Sequence, residues 1–194
     1  MERLRSDARQ NRIRLLDCAT ALILEAGGEP TRDALARGAR VGIGTVYRHF
    51  PDRQSLLHDV ARHVLENTIA GGERVVASDV DGEEAVRRYL HEAIEHGIGV
   101  VNIVHPLLDD HDWPDLQARA DVMFSALMER SRSDHTLRSD LTVSDIVFAA
   151  IRFGRPLAIG LPSSEDREIA HRQLDCYVDG LRCSPLAHDG PTEG

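Results

Sequence analysis

The sequence predicts an all-α protein, and three observations carry that prediction. Apolar residues recur at spacings of three and four through most of the 194 residues, the period of a helix with one buried face. No stretch alternates apolar and polar residues with the period of two that a half-buried strand requires. Helix starters (Thr31, Pro51, Thr142, Ser163 or Ser164) and stoppers (Gly27, Gly28, Pro106) fall between the periodic stretches.

In chain order, a first helix is expected from about Asp7 to Ala26, its buried face carrying Leu15, Leu16, Ala19, Leu22 and Ile23. Thr31 caps a short second helix that turns Leu35, Ala36 and Ala39 inward; Val41 fills the following turn. A short third helix turns Val46 and Phe50 inward, four residues apart. Pro51 opens a fourth, in which Leu56, Leu57, Val60 and Val64 form one face running toward Gly71. Four more are expected: Glu83 to about Val104, Pro114 to about Arg130, a segment capped by Thr142 and interrupted at Gly154–Pro156, and a last one from Ser163 or Ser164 to Leu181. The expected division is a helix-turn-helix unit over 1–55, a helical unit over 56–185 and a disordered tail over 186–194.

Composition narrows the classes of function. Hydrophobic residues at 42% and charged residues at 28% describe an ordinary globular chain with no apolar run of membrane-spanning length. The charged start, MERLRSDARQNRIR, lacks the apolar core of a secretory signal, so a cytoplasmic location is expected. Cys18, Cys176 and Cys183 show no paired spacing; Cys176 and Cys183, one heptad apart, read as buried structural thiols, with a redox sensor as the alternative. His105, Asp109 and His111 lack the spacing of a closed metal site, and no metal or cofactor is expected. A net charge of −9 argues against a polyanionic partner until its distribution is considered. Residues 1–55 hold ten arginines against seven carboxylates, a balance of +3, which leaves −12 on the remainder. A basic end on an acidic body presents only that end to phosphate.

The most specific stretch is Thr31–Leu57, TRDALARGARVGIGTVYRHFPDRQSLL. With Val46 and Phe50 inward, the third helix turns Ile43, Thr45, Tyr47, Arg48 and His49 outward, residue types that contact phosphates and base edges. Together with Thr31, Ala39, Val41, Gly44, Arg53, Leu56 and Leu57, these residues make the stretch resemble the tetracycline-repressor (TetR) family of bacterial transcriptional regulators. Two positions depart from that pattern: Arg40 stands where the family has a turn glycine, and Gly42 where it often has serine.

The resemblance implies a ligand-responsive, sequence-specific regulator of transcription, a repressor that a small-molecule effector releases from a palindromic double-stranded operator. Thr31, Arg32, Tyr47, His49 and Arg53 would hold phosphates, while Ile43, Gly44, Thr45 and Arg48 would face base edges, Arg48 able to pair bidentately with guanine. Arg3, Arg5, Arg9, Arg12 and Arg14 read first as a solvated helix face, with an N-terminal arm along the backbone or minor groove as the alternative. The family's homodimer uses its last two long helices, here about Thr142–Ile159 and Ser164–Leu181; the stripe of Leu174, Tyr177, Val178 and Leu181 fits that interface and equally suits packing within the chain's own core. The effector would sit among the central helices and tilt the fourth. Candidate pocket residues are His96, Val101, Asn102, His105, Trp113, Met123, Phe124, Arg152 and Phe153. The competing reading is a small helical ligand-binding protein or enzyme with a vestigial helix-turn-helix, against which stands the lack of a phosphate loop, nucleophile elbow or HExxH motif.

Overall fold

The computed structural model describes residues 2–109, 112–157 and 160–182. Among these, nine α-helices follow one another: α1 (Glu2–Ala26), α2 (Arg32–Gly38), α3 (Ile43–His49), α4 (Arg53–Val76), α5 (Gly82–Glu95), α6 (Gly99–Val104), α7 (Pro114–Ser133), α8 (Val143–Phe153) and α9 (Ser163–Asp179). A 3-10 turn, His105–Leu107, follows α6. Extended pairing among the described residues is confined to a single bridge between Leu137 and Arg182. The expected tail lies outside the described residues.

Helix boundaries follow the local chemistry. Gly27, at φ +68°, ends α1, a left-handed conformation that costs glycine least. Thr31 caps α2 by accepting the Ala34 N–H at 3.2 Å. Asp52 caps α4 reciprocally with Ser55, and Thr142 caps α8 reciprocally with Asp145.

In the first half of the chain, three boundaries differ most from the sequence reading. α1 begins five residues earlier than expected, at Glu2. α4 runs through Gly71 and Gly72 to Val76, because those glycines are packing positions where other helices approach, not a stop. The single helix expected over Glu83–Val104 is two: Gly97 takes φ +77°, the Ile98 N–H reaches the Ala93 carbonyl at 3.0 Å, and the Gly97 N–H reaches that of Ile94 at 2.9 Å. These are the paired bonds of a Schellman C-terminus. The Thr20 side chain also lies only 2.7 Å from where a Cβ at Gly97 would stand.

Two apolar cores meet along α4. The first joins α1–α3 and the start of α4 to Val100, Val104, Leu108, Trp113 and Leu116, so the small N-terminal unit leans on α6 and the start of α7. The second is built from α5, α7, α8 and α9 around Val64 and Val75. Leu65 of α4 packs against both. α4 is therefore the helix that the two cores share. No helix among the described residues is long and apolar enough to cross a membrane.

Candidate nucleic-acid interface

α2 and α3 meet at a tight turn whose geometry settles the Arg40 departure. The Val41 N–H bonds the Ala36 carbonyl at 3.0 Å and the Arg40 N–H that of Arg37 at 3.2 Å, again a Schellman pair. Arg40 occupies its left-handed position at φ +56°. The fold thus keeps the turn and places a non-glycine residue in a conformation disfavoured for side chains with a Cβ.

On α3 the inward residues Val46 and Phe50 are completely buried. The opposite side is open: Tyr47 is 54% and Ile43 41% exposed, and Gly44 and Arg48 are exposed beside the half-buried Thr45 and His49. A Cβ at Gly42 or Gly44 would meet nothing within 4 Å. Burial first, then the charges of Arg12 and Arg48, hold the His49 imidazole below its ordinary pKa. It is therefore neutral in the free protein at pH 7, and a phosphate beside it would favour its proton.

Several predicted phosphate ligands are already engaged within the chain. Arg32 donates to the Phe50 and Pro51 carbonyls, the latter at 3.2 Å, and its guanidinium lies 4.5 Å from the centre of the Tyr47 ring. It thereby ties the start of α2 to the end of α3 and steadies Tyr47. Arg53 pairs with Glu29 at 2.8 Å. Arg12, one of the N-terminal arginines, pairs with Asp59 and sits over Phe50, 5.1 Å from its ring centre. The Thr31 hydroxyl is exposed and, while its oxygen accepts from Ala34, retains a proton to donate.

The predicted pocket residues do not converge on one cavity. Trp113 belongs to the first core, its indole N–H reaching His58 Nε2 at 2.9 Å. Met123 and Phe124 belong to the second core, with Phe124 edge-on to Tyr89 at 5.4 Å. Val101 and Phe153 pack at that core's margin, Phe153 against Tyr177. Asn102, His105 and Arg152 are exposed, and His96 is half-buried at the C-cap of α5. An open groove of about 600 Å³ lies elsewhere, between the α4–α5 turn and the end of α7, lined by Asp79, Asp81, Arg130 and Asp134 among others. Sequence reasoning missed Thr68, buried at the centre of α4. Its signal was a hydroxyl interrupting the apolar stripe of Val64 and Val75.

The expected dimer stripe needs correction. Leu174 and Val178 are completely buried and Leu181 nearly so, all within the chain's own second core, so they have no surface to offer a partner. Tyr177 is half-buried and donates its hydroxyl to the Asp145 carbonyl at 3.2 Å. α8 ends at Phe153 instead of Ile159, which lies outside the described residues, as do Cys183 and His111. Cys176 is exposed, contrary to the expectation of a buried thiol. Phe148 on α8 is 64% exposed, and Val143 and Leu157 near it in the chain are open as well, so large apolar side chains remain uncovered at this end among the described residues.

A short helix sealed by Val46 and Phe50, open on its other side and held by a preceding capped helix, defines a helix-turn-helix protein of the DNA-binding kind. The model of the family described as "Bacterial regulatory proteins, tetR family" matches residues 15–60. The chain is 30% identical over 180 residues to the transcriptional repressor LfrR of Mycolicibacterium smegmatis, covering 92% of each chain. It is 28% identical over 189 residues to the transcriptional repressor KstR2 of Rhodococcus jostii, covering 88% of this chain and 90% of the relative. Among solved structures, the TetR regulatory protein from Mycobacterium vanbaalenii superposes with a TM-score of 0.64 at 25% identity, over 92% of this chain and 99% of that one. LfrR from Mycobacterium smegmatis in complex with proflavine superposes with a TM-score of 0.59 at 25% identity, over 86% and 95%. The chain belongs to the TetR family and is a DNA-binding transcriptional regulator.

Proposed function

We propose that the chain acts as a homodimeric repressor that reads a palindromic operator through α3 and leaves it when a small molecule binds the helical body. The observation that carries the reading is the two-sidedness of α3, with Val46 and Phe50 sealed and Ile43, Tyr47 and Arg48 open. Thr45 and Arg48 contact base edges, with Ile43 placed against a thymine methyl. Tyr47, His49 and the Thr31 hydroxyl hold phosphates and fix register. Arg32 acts through Tyr47, and Arg53 reaches phosphate once it releases Glu29.

One such helix reads only a few base pairs, so two copies stand about 34 Å, one helical turn, or a multiple apart. The dimer forms on the open side of α8 and α9, with Phe148 as its apolar anchor in place of the buried Leu174 stripe. LfrR has been solved holding proflavine, which supports a small-molecule effector for this chain as well. Release requires that the effector bind better to the conformation that cannot grip DNA.

Selecting fragments from a random duplex pool tests the reading. A two-fold symmetric consensus is expected, and Arg48→Ala is expected to lose preference at one base position in each half-site. Recovery of fragments without a common sequence would refute it.

A further inference from the structure

We infer that the seam between α4 and α5 around Thr68 and His96 is the polar end of the effector site, and that it takes an uncharged, mostly apolar molecule carrying a carbonyl or hydroxyl oxygen. This rests on the reading of the chain as an effector-released repressor. Its ground is an accounting of buried polar atoms. Among the described residues, three buried side-chain polar atoms have no hydrogen-bond partner, Thr68 Oγ1, His96 Nε2 and Thr136 Oγ1; Thr68 shares the side of α4 that carries Gly71, and Gly71 stands beside His96 Nε2.

Thr68 is only 3% exposed. Other buried hydroxyls on helices of this chain turn back to the preceding turn, Thr20 to the Leu16 carbonyl at 2.9 Å and Ser131 to that of Leu127 at 3.1 Å. That is the usual resting bond of a helical hydroxyl. Thr68 makes no such bond and holds its donor unused inside the protein. A buried polar group left unmatched destabilises the fold and so calls for an explanation, an absent ligand atom being one.

The surroundings can open. Gly71 and Gly72 stand three and four residues after Thr68, on the same side of α4. A Cβ at Gly71 would meet His96 Nε2 at 3.4 Å and Glu92 Oε2 at 2.5 Å; one at Gly72 would meet Met123 Sδ at 2.7 Å and the Tyr89 ring at 3.0 Å. The seam is closed by side chains, chiefly the flexible thioether of Met123, and not by backbone.

Charge and chemistry set the ligand class. The Glu92 carboxylate is neutralised by Arg74 at 3.0 Å and stands 4.0 Å from His96 Nε2, beyond hydrogen-bond reach. Burial holds the His96 imidazole below its ordinary pKa, hence neutral at pH 7. Glu95 is likewise taken up by Arg167 and His171, and His63 by Asp17, so the charges around His96 are paired within the chain and none is left open for a charged ligand. An oxygen that accepts from the Thr68 hydroxyl and lies near His96 Nε2, on a body that packs against Met123 and Tyr89, satisfies what the free protein leaves unmatched. Wedging α4 from α5 moves the helix that begins four residues after α3 ends, which couples the seam to the reading head.

Nile red, an uncharged aromatic dye whose carbonyl oxygen is its strongest acceptor, is the probe. Titrated into the full-length protein on its selected operator, it is expected to bind saturably with blue-shifted emission and to release the DNA. Thr68→Val, which keeps the shape and removes the hydroxyl, is expected to need at least tenfold more dye for both effects and to raise the melting temperature. Thr68→Ser, which keeps the hydroxyl, is expected to retain dye binding within about threefold. Absence of saturable binding to the wild type, equal binding by Thr68→Val, or a lower melting temperature in that variant would overturn the inference. Failure of the dye-free wild type to select a symmetric operator would instead overturn the repressor reading beneath it.

Discussion

The reading head and the helical body are organised on opposite plans. In the head, α1–α3 and the start of α4 put a few bulky residues, Leu15, Ile23, Leu35, Val46 and Phe50, fully inside and leave α3 bare on its other side. Arginines outnumber carboxylates there. In the body the excess is acidic, and its helices are laced by side chains far apart in sequence. Arg87 of α5 donates to Asp175 at 2.7 Å and to Asp179 at 2.6 Å. His91 and His171 meet at 2.6 Å between Asp175 and Glu95. The head spends its structure on presenting a surface, whereas the body closes on itself and leaves its unmatched atoms within. A surface that meets a large rigid partner has to be ready in advance; a site for a small molecule can stay shut until occupied.

The largest effect expected from breaking this contrast is in the head's core. Phe50→Ala removes a completely buried ring and is expected to cost about 3–5 kcal/mol in urea denaturation, with loss of operator binding. An unchanged unfolding midpoint would show that the head is not held from within α3.

Gly44→Ala separates folding from binding. Its added methyl meets nothing in the protein, so stability is expected to rise by about 0.5–1 kcal/mol, the difference between glycine and alanine inside a helix. Operator affinity is expected to fall, because the same methyl meets the DNA. Calorimetric melting beside anisotropy titration reads both signs, and a gain in both would place Gly44 away from the groove.

At the turn, Arg40→Gly relieves a left-handed arginine and is expected to stabilise by about 1 kcal/mol, read as a higher urea midpoint.

The smallest effect concerns the body. The His91 hydrogen bond, with Arg87, holds the Asp175 carboxyl below the ordinary carboxylate range, and Arg182, with Arg87, does the same for Glu83. Their contribution is complete above the ordinary carboxylate pKa of about 4 and is lost as pH falls through their depressed values. The melting temperature is expected to drop on acidification below that point, and less steeply in Asp175→Asn. Equal slopes would remove these carboxylates from the account.

What the sequence disclosed follows the same division. Thr31, Gly27 and Thr142 announce helix ends through bonds within a few residues, and Val46 with Phe50 fixes which side of α3 faces in; such local chemistry is readable without a fold. The break at Gly97 was hidden because apolar residues continue at helical spacing on both sides of it. Leu174 and Val178 form a clear stripe, but a stripe does not say whether the chain itself or a second copy covers it. Bulky or polar interruptions of apolar helices fall across two cores and the surface, and of the expected pocket residues only His96 and Met123 border the proposed seam. Thr68 interrupts an apolar stripe in the same way, but a single threonine within a helix is too ordinary to stand out by sequence alone.

The preference for the selected operator over a scrambled duplex, measured by anisotropy at several salt concentrations for wild type, Arg48→Ala and Tyr47→Ala, tests the central claim that the open side of α3 reads base pairs. The account predicts that Arg48→Ala lowers the preference about tenfold or more, while Tyr47→Ala weakens both duplexes together and reduces the salt dependence by roughly one phosphate contact. An Arg48→Ala protein that discriminates as well as wild type would contradict it.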